Sequence, residues 1–158
     1  MIFKYPALFV LVIALLFAAC EPAKPVDAKA DFEQQVKALI DEHFKLINEH
    51  ELKSITSQYA PKATISSSDW KGIATGPSGA DQIFHLEFYV SPDAKYLVDR
   101  TTIKDSTVIV EYDVIGLKDK TNSVRYDLRK CSIFKTDGKL ITSESTYANP
   151  LYYQKGNN

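Results

Sequence analysis

From Tyr96 to Ala148 apolar residues recur at alternate positions, in four runs separated by short polar breaks. That period suits strands with one buried face and does not suit a helix. The runs are Tyr96 to Lys104, Thr107 to Leu117, Ser123 to Lys135 and Lys139 to Ala148. Asp105-Ser106 and Thr136-Asp137-Gly138 read as tight turns, and Lys118 to Asn122 as a polar loop. Sequential hairpins of this kind predict an antiparallel meander. Val108, Val110, Tyr112 and Val114 share one face, and Val124, Tyr126 and Leu128 share another; both should look inward.

The residues before this block are helical in pattern. Phe32, Val36, Leu39, Ile40, Phe44 and Ile47 follow helical spacing, with Asp31 as the expected cap. Leu52, Ile55 and Tyr59 suggest a shorter helix stopped by Pro61. Ala63 to Ser68 is a short strand candidate. Gly72, Gly76, Pro77 and Gly79 mark a loop. Ser78-Gly79-Ala80-Asp81 resembles a capping box before a third helix carrying Ile83, Phe84 and Phe88. Helices first and a meander afterwards predict an α+β fold, with three helices on one face of a strongly curved antiparallel sheet. The result is a cone-shaped half-barrel whose mouth is a natural small-molecule pocket.

The chain's start is of a different kind. Ala7 to Cys20 is an unbroken apolar run, shorter than the ~20 residues of a membrane span but suited to a secretory signal. Leu16-Phe17-Ala18-Ala19-Cys20 resembles the lipobox of bacterial lipoproteins. That resemblance implies a signal peptide over 1–19, lipidation of Cys20 and a domain held outside the cytoplasm at a membrane of the cell envelope. Residues 20–30 then form the lipidated end and a tether, 31–149 the folded domain and 150–158 a tail. With Cys20 lipidated, Cys131 has no partner for a disulfide; a buried, inert thiol is expected there. The 158 residues carry 19 lysines and arginines against 20 aspartates and glutamates, a net charge of −1. That balance speaks against a nucleic-acid partner.

The order helix–helix–strand–helix–four strands resembles the nuclear transport factor 2-like superfamily, which includes SnoaL-like polyketide cyclases, ketosteroid isomerase and scytalone dehydratase. Leu52 to Ile65 is similar to its second helix and first strand, and Phe134 to Ile141 to its last hairpin. The resemblance implies a cystatin-like α+β cone and a ligand pocket. Carried over by position, the isomerase's tyrosine donor falls on His43 and its base carboxylate on Ser67, with Lys62 where another acidic residue often stands. A serine with no adjacent base does not abstract a proton from carbon near neutral pH. The expectation is therefore a binding domain without catalysis. A structural module and an enzyme of isomerase, dehydratase or cyclase type are the alternatives.

Six residues are candidates for the pocket. His43 lies at the centre of the first helix's apolar stripe, where a leucine would ordinarily stand; it is either a pocket ligand contact or a satisfied core histidine. Glu87 points between Ile83 and Phe84, toward a pocket rim or toward a basic partner. Trp70 precedes the glycine loop and could close the cone. Tyr59, Tyr112 and Tyr126 fall on apolar faces. His50 is expected at the helix end facing solvent or a terminal carbonyl, and His85 outside. Two histidines seven apart lie ~10 Å apart along a helix, too far to share a metal. No nucleotide loop, Ser-His-Asp spacing or zinc pattern is present, so neither cofactor nor metal is expected. Glu111, Asp113, Arg125, Asp127 and Arg129 fill the opposite faces, with Glu111 expected opposite Arg129. They form a charge ladder or, since relatives often pair through this surface, a homodimer contact.

Overall fold

The structure is a computed structural model that describes residues 28–119, 121, 124–149 and the backbone of 154–155. The expected signal peptide, Cys20 and the expected tether up to 27 lie outside the described residues, as does most of the tail.

The first helix, α1 (Ala28–Glu49), buries Val36, Ile40, His43, Phe44, Leu46 and Ile47. It starts before Asp31, which sits in its first turn rather than at its cap. The last residues assigned to the tether are thus helical. A short α2 (Leu52–Ser57) follows, and Gln58 caps its end. The expected extension of this helix to Tyr59 does not occur. Tyr59 opens strand β1 (Tyr59–Ser67), because the backbone bond from Ile141 to Gln58 O, 2.8 Å, draws the chain into the sheet. Pro61 lies inside β1, at the irregularity between Tyr59 and Thr64 where a missing N–H costs no ladder bond.

Strand β2 (Ala74–Thr75) pairs with Thr64 and Ile65 and leads directly into α3 (Gly76–Val90). The expected capping box is not used: α3 begins three residues earlier, with Pro77 in its first turn and Thr75 as N-cap without a side-chain bond. Gly76 makes this start possible. Its φ is +63°, and a Cβ there would lie 2.5 Å from Pro61 O.

The meander follows the expected order: β3 (Lys95–Lys104), β4 (Thr107–Lys118), β5 (Arg125–Thr136) and β6 (Ile141–Ala148). The short strand β7 (Gln154–Lys155) pairs with Tyr126 and Asp127 of β5. The sheet order is β2-β1-β6-β5-β4-β3. The sheet is mixed rather than purely antiparallel, because β1 runs parallel to β6. A strand reached by returning from the helices has no hairpin to force reversal. α1 packs on β3, and α3 on β1 and α2, so three helices cover one face of an open, curved sheet. Between them lies a single core that includes Ile55, Ala80, Phe84, Val108, Val110, Val114, Phe134 and Ile141.

Register decides which side chains look inward. Tyr112 stands opposite Lys130, Val110 opposite Ser132 and Val108 opposite Phe134. Ser132 stands opposite Thr146, and Phe134 opposite Glu144. Glu111 faces Cys131, not Arg129, because the β4–β5 hairpin is centred one residue later than a fold about Lys118 to Asn122 would give, which moves each partner by two. A shift of two keeps every side chain on its face. The outer ladder therefore survives with new partners. Arg129 reaches Asp99 at 2.6 Å, Asp113 at 3.3 Å and Glu111 at 3.5 Å.

Candidate functional site

The inner face carries a continuous row of buried polar side chains. Gln58 Oε1 can only accept, so His43 Nδ1 donates to it at 2.8 Å. His43 Nε2 is then a bare acceptor 3.5 Å from Tyr59 Oη, with no proton between the two because the single phenol proton goes elsewhere. Tyr59 Oη donates to Glu144 Oε2. The other oxygen, Glu144 Oε1, accepts from Thr146 Oγ1 at 3.1 Å. Thr146 lies 2.6 Å from Ser132 Oγ, which lies 2.9 Å from Tyr112 Oη. Because the Thr146 proton goes to Glu144, Ser132 donates to Thr146 and Tyr112 donates to Ser132. Two lines of hydroxyl protons thus end on one carboxyl group.

The electrostatics of this row follow from burial. His43 is 0% exposed and surrounded by the rings of Phe44, Tyr59, Phe84 and Phe134 at centroid distances of 5.6–5.9 Å. Desolvation pulls its pKa from 6.5 to about 4, against a smaller upward pull from Gln58, so the imidazole is neutral. Burial pushes the Glu144 carboxyl up, and the bonds from Tyr59 and Thr146 pull it partly back. Burial likewise raises the phenols of Tyr59 and Tyr112.

Beyond Tyr112 the row opens toward the rim. The Lys130 side chain points inward and is 10% exposed. Its Nζ lies 3.1 Å from Asp69 Oδ2 and 3.8 Å from Glu87 Oε1. Burial opposes its charge, but Glu87, Tyr112 and Asp69 outweigh it and push the ammonium pKa up. Tyr96, 6% exposed, stacks near Tyr112 at 6.0 Å, and its Oη is shielded from solvent without a hydrogen-bond partner. Burial, and then the Glu87 charge, hold that phenol well above its usual range.

The candidates taken from sequence fall into three groups. His43, Tyr59 and Tyr112 belong to the polar row. Glu87 joins the rim through Lys130. Trp70 and Tyr126 are half-buried against the apolar core. His50 does not face solvent as expected. It stacks on Phe88 at 4.3 Å with Nε2 shielded and unpartnered, because a φ of +58° turns the chain back at the end of α1. His85 is exposed. Cys131 is not buried inside: it is half-exposed on the outer face, where its alternation with Ser132 places it. Ser67 Oγ accepts from Asp69 N at 3.1 Å and so serves the loop. Among the described residues no three His, Cys, Asp or Glu side chains converge as a metal site requires.

Glu144 and Lys130 were not among the candidates. Both could have been found by extending the alternation: Lys130 continues the face of Tyr126 and Leu128, and Glu144 falls opposite Phe134. Two concavities among the described residues lie away from the expected mouth: a groove of about 770 Å³ on the outer face beside Glu111, Arg129, Cys131 and Tyr147, and one at the β3–β4 turn. Aromatic rings pack around His43 at the cone's base, and Lys130 pairs with Asp69 of the loop after β1.

The sequence matches no protein family, and it matches no curated protein significantly. Solved structures do match. An epoxide hydrolase/cyclase-like enzyme of pyran ring formation in the polyether salinomycin aligns with a TM-score of 0.68 at 18% identity, over 78% of this chain and 97% of that one. A protein with a ketosteroid isomerase-like fold from Catenulispora acidiphila, in complex with trimethylamine, aligns at 0.66 and 13%, over 76% and 93%. A nuclear transport factor 2-like protein of unknown function from Cytophaga hutchinsonii aligns at 0.58 and 16%, over 73% and 91%. At these identities the likeness is one of fold: an α+β cone of the nuclear transport factor 2-like kind.

Proposed function

We propose that this chain is a lipid-anchored binding module that holds a small, largely apolar ligand in the cone between α3 and the inner sheet face. The observation that carries the reading is the inward polar set of Glu144, Thr146, Ser132, Tyr112 and Lys130. A module with only a structural task gains nothing from burying a carboxyl and an ammonium, since apolar side chains of similar volume are as stabilising or more so. Pockets, by contrast, combine apolar walls with a few convergent polar groups. Two similar structures support a small-molecule role: one is described as an epoxide hydrolase/cyclase-like enzyme, the other holds trimethylamine. The Leu16–Cys20 motif supports an anchor on Cys20, with the domain outside the cytoplasm at the cell envelope.

Native mass spectrometry of the protein purified from its own cells tests the reading. A bound mass lost on denaturation is expected. Bare protein, together with no hit in a screen of small apolar compounds, would count against it. A second reading has its own observation. Glu144 is a buried carboxyl with no ion pair among the described residues, and burial raises its pKa, a setting that suits a proton-exchanging group. Acid–base catalysis at Glu144 would make Glu144→Gln inactive toward a turned-over ligand that it still binds.

A further inference from the structure

Lys130 is held by two carboxylates of unlike standing. Glu87 comes from α3, 22% exposed and 3.8 Å away, beyond hydrogen-bond reach. Asp69 comes from a loop, 38% exposed and 3.1 Å away. That loop is held at its ends, by the bond from Asp69 N to Ser67 Oγ at 3.1 Å, and by half-buried Trp70 on the core. Ser68 N donates to Thr146 O and Ala148 N donates to Ser68 Oγ, each at 2.9 Å. At the far end Ala74 and Thr75 pair with β1. Between them Gly72 has φ +109° with nothing within 4 Å of a would-be Cβ, and Ile73 is exposed. Asp69 is therefore a carboxylate delivered to a buried lysine by a loop, whereas Glu87 comes from a helix.

We propose that Asp69 stands in for a carboxylate of the ligand, and that Lys130 receives a small, apolar carboxylic acid when the Asp69 loop swings out. The assignment rests on reading the cone as a ligand site and names its ligand class. Exchange of one carboxylate for another leaves the charge around Lys130 unchanged. A cationic group would meet the ammonium instead, and a neutral group would leave Lys130 only Glu87, out of hydrogen-bond reach. Tyr96 Oη, beside Tyr112, makes no hydrogen bond of ordinary geometry and interacts only loosely with Glu87, so it can donate to the second oxygen. Half-buried Ile83, one turn before Glu87 on the same helix, offers apolar surface for the rest of the molecule.

Trp70 is the chain's single tryptophan and lies next to Asp69, so its fluorescence reports the loop directly. Octanoate and 1-octanol, titrated separately into the full domain, share a tail and differ in the head group. Octanoate should bind at least about tenfold more tightly than octanol, and Asp69→Asn should tighten octanoate about threefold to tenfold by removing the internal competitor. Lys130→Met should abolish octanoate binding, with far-ultraviolet dichroism checking its fold; if it does not fold, Asp69→Asn decides alone. Equal binding of both compounds, or octanoate binding unaltered by Asp69→Asn, overturns the carboxylate assignment while leaving a cone ligand intact. Binding of neither also overturns it, and the retained mass in native spectrometry then judges the cone reading separately.

Discussion

Replacing His43 with leucine separates two contributions that burial has tied together. The folded protein holds the imidazole neutral, with its pKa lowered from 6.5 to about 4. At ~1.4 kcal/mol per unit, that gap is worth about 3 kcal/mol between the two protonation states. The sign follows from proton counting. Below 6.5 the unfolded chain takes up a proton that the folded chain refuses, so stability is full above that value and is lost as pH falls toward 4. At pH 7 the substitution removes the bond to Gln58, worth about 1 kcal/mol net. Gln58 is half-buried and can turn to water, Tyr59 keeps its bond to Glu144, and leucine occupies a similar volume among the four surrounding rings. The variant should therefore be slightly less stable at pH 7 and more stable than wild type by about 2 kcal/mol near pH 4. Glu144 titrates in both proteins and largely cancels in the difference. Urea melts at intervals from pH 4 to 8 measure it. Parallel stability curves for the two proteins would refute the account of His43 as a buried neutral histidine.

Three further outcomes follow from the geometry. Gly76→Ala combines a positive φ with a 2.5 Å approach to Pro61 O, and should cost about 1–3 kcal/mol in a denaturant melt; a cost near zero would mean α3 starts differently. Glu144 holds its proton to higher pH folded than unfolded, so it lowers stability as pH rises above ~4.3. Glu144→Gln should remove that decline, and an identical slope of melting temperature against pH in both proteins would contradict the carboxyl's placement. Cys20→Ala should move the protein from the membrane fraction to the soluble one; retention at the membrane with an intact N-terminus would sink the lipid anchor.

The meander was legible because alternation and turn residues agree in it. Asp105 and Ser106 close the β3–β4 hairpin where expected, and the inward phase of Val108 to Val114 is set by a period of two. The region from Leu52 to Gly79 was harder, because local signals there compete with tertiary ones. Pro61 reads as a helix stop but sits in a strand irregularity, and Ser78-Gly79-Ala80-Asp81 reads as a cap although Gly76, against Pro61, starts the helix earlier. The parallel pairing of β1 with β6 joins residues some eighty positions apart and leaves no local trace. In the site, His43 stood out because a polar residue interrupted an apolar stripe. Glu144 did not, since Ile141 to Ala148 (ITSESTYA) is polar nearly throughout. Lys130 was hidden by chemistry: alternation with Tyr126 and Leu128 puts it on the inner face, but a lysine is ordinarily assigned to the outer one.

The central claim is that the inner face, not the outer groove, is where a small molecule sits. Amide chemical-shift mapping of the isotope-labelled domain against a library of small apolar fragments tests it most directly. Hits should move Trp70, Glu87, Tyr112, Lys130 and Ser132 together, leaving Arg129, Cys131 and Tyr147 in place. Shifts confined to the outer groove around Arg129 and Tyr147, with the Trp70 loop and Lys130 unmoved, would contradict it.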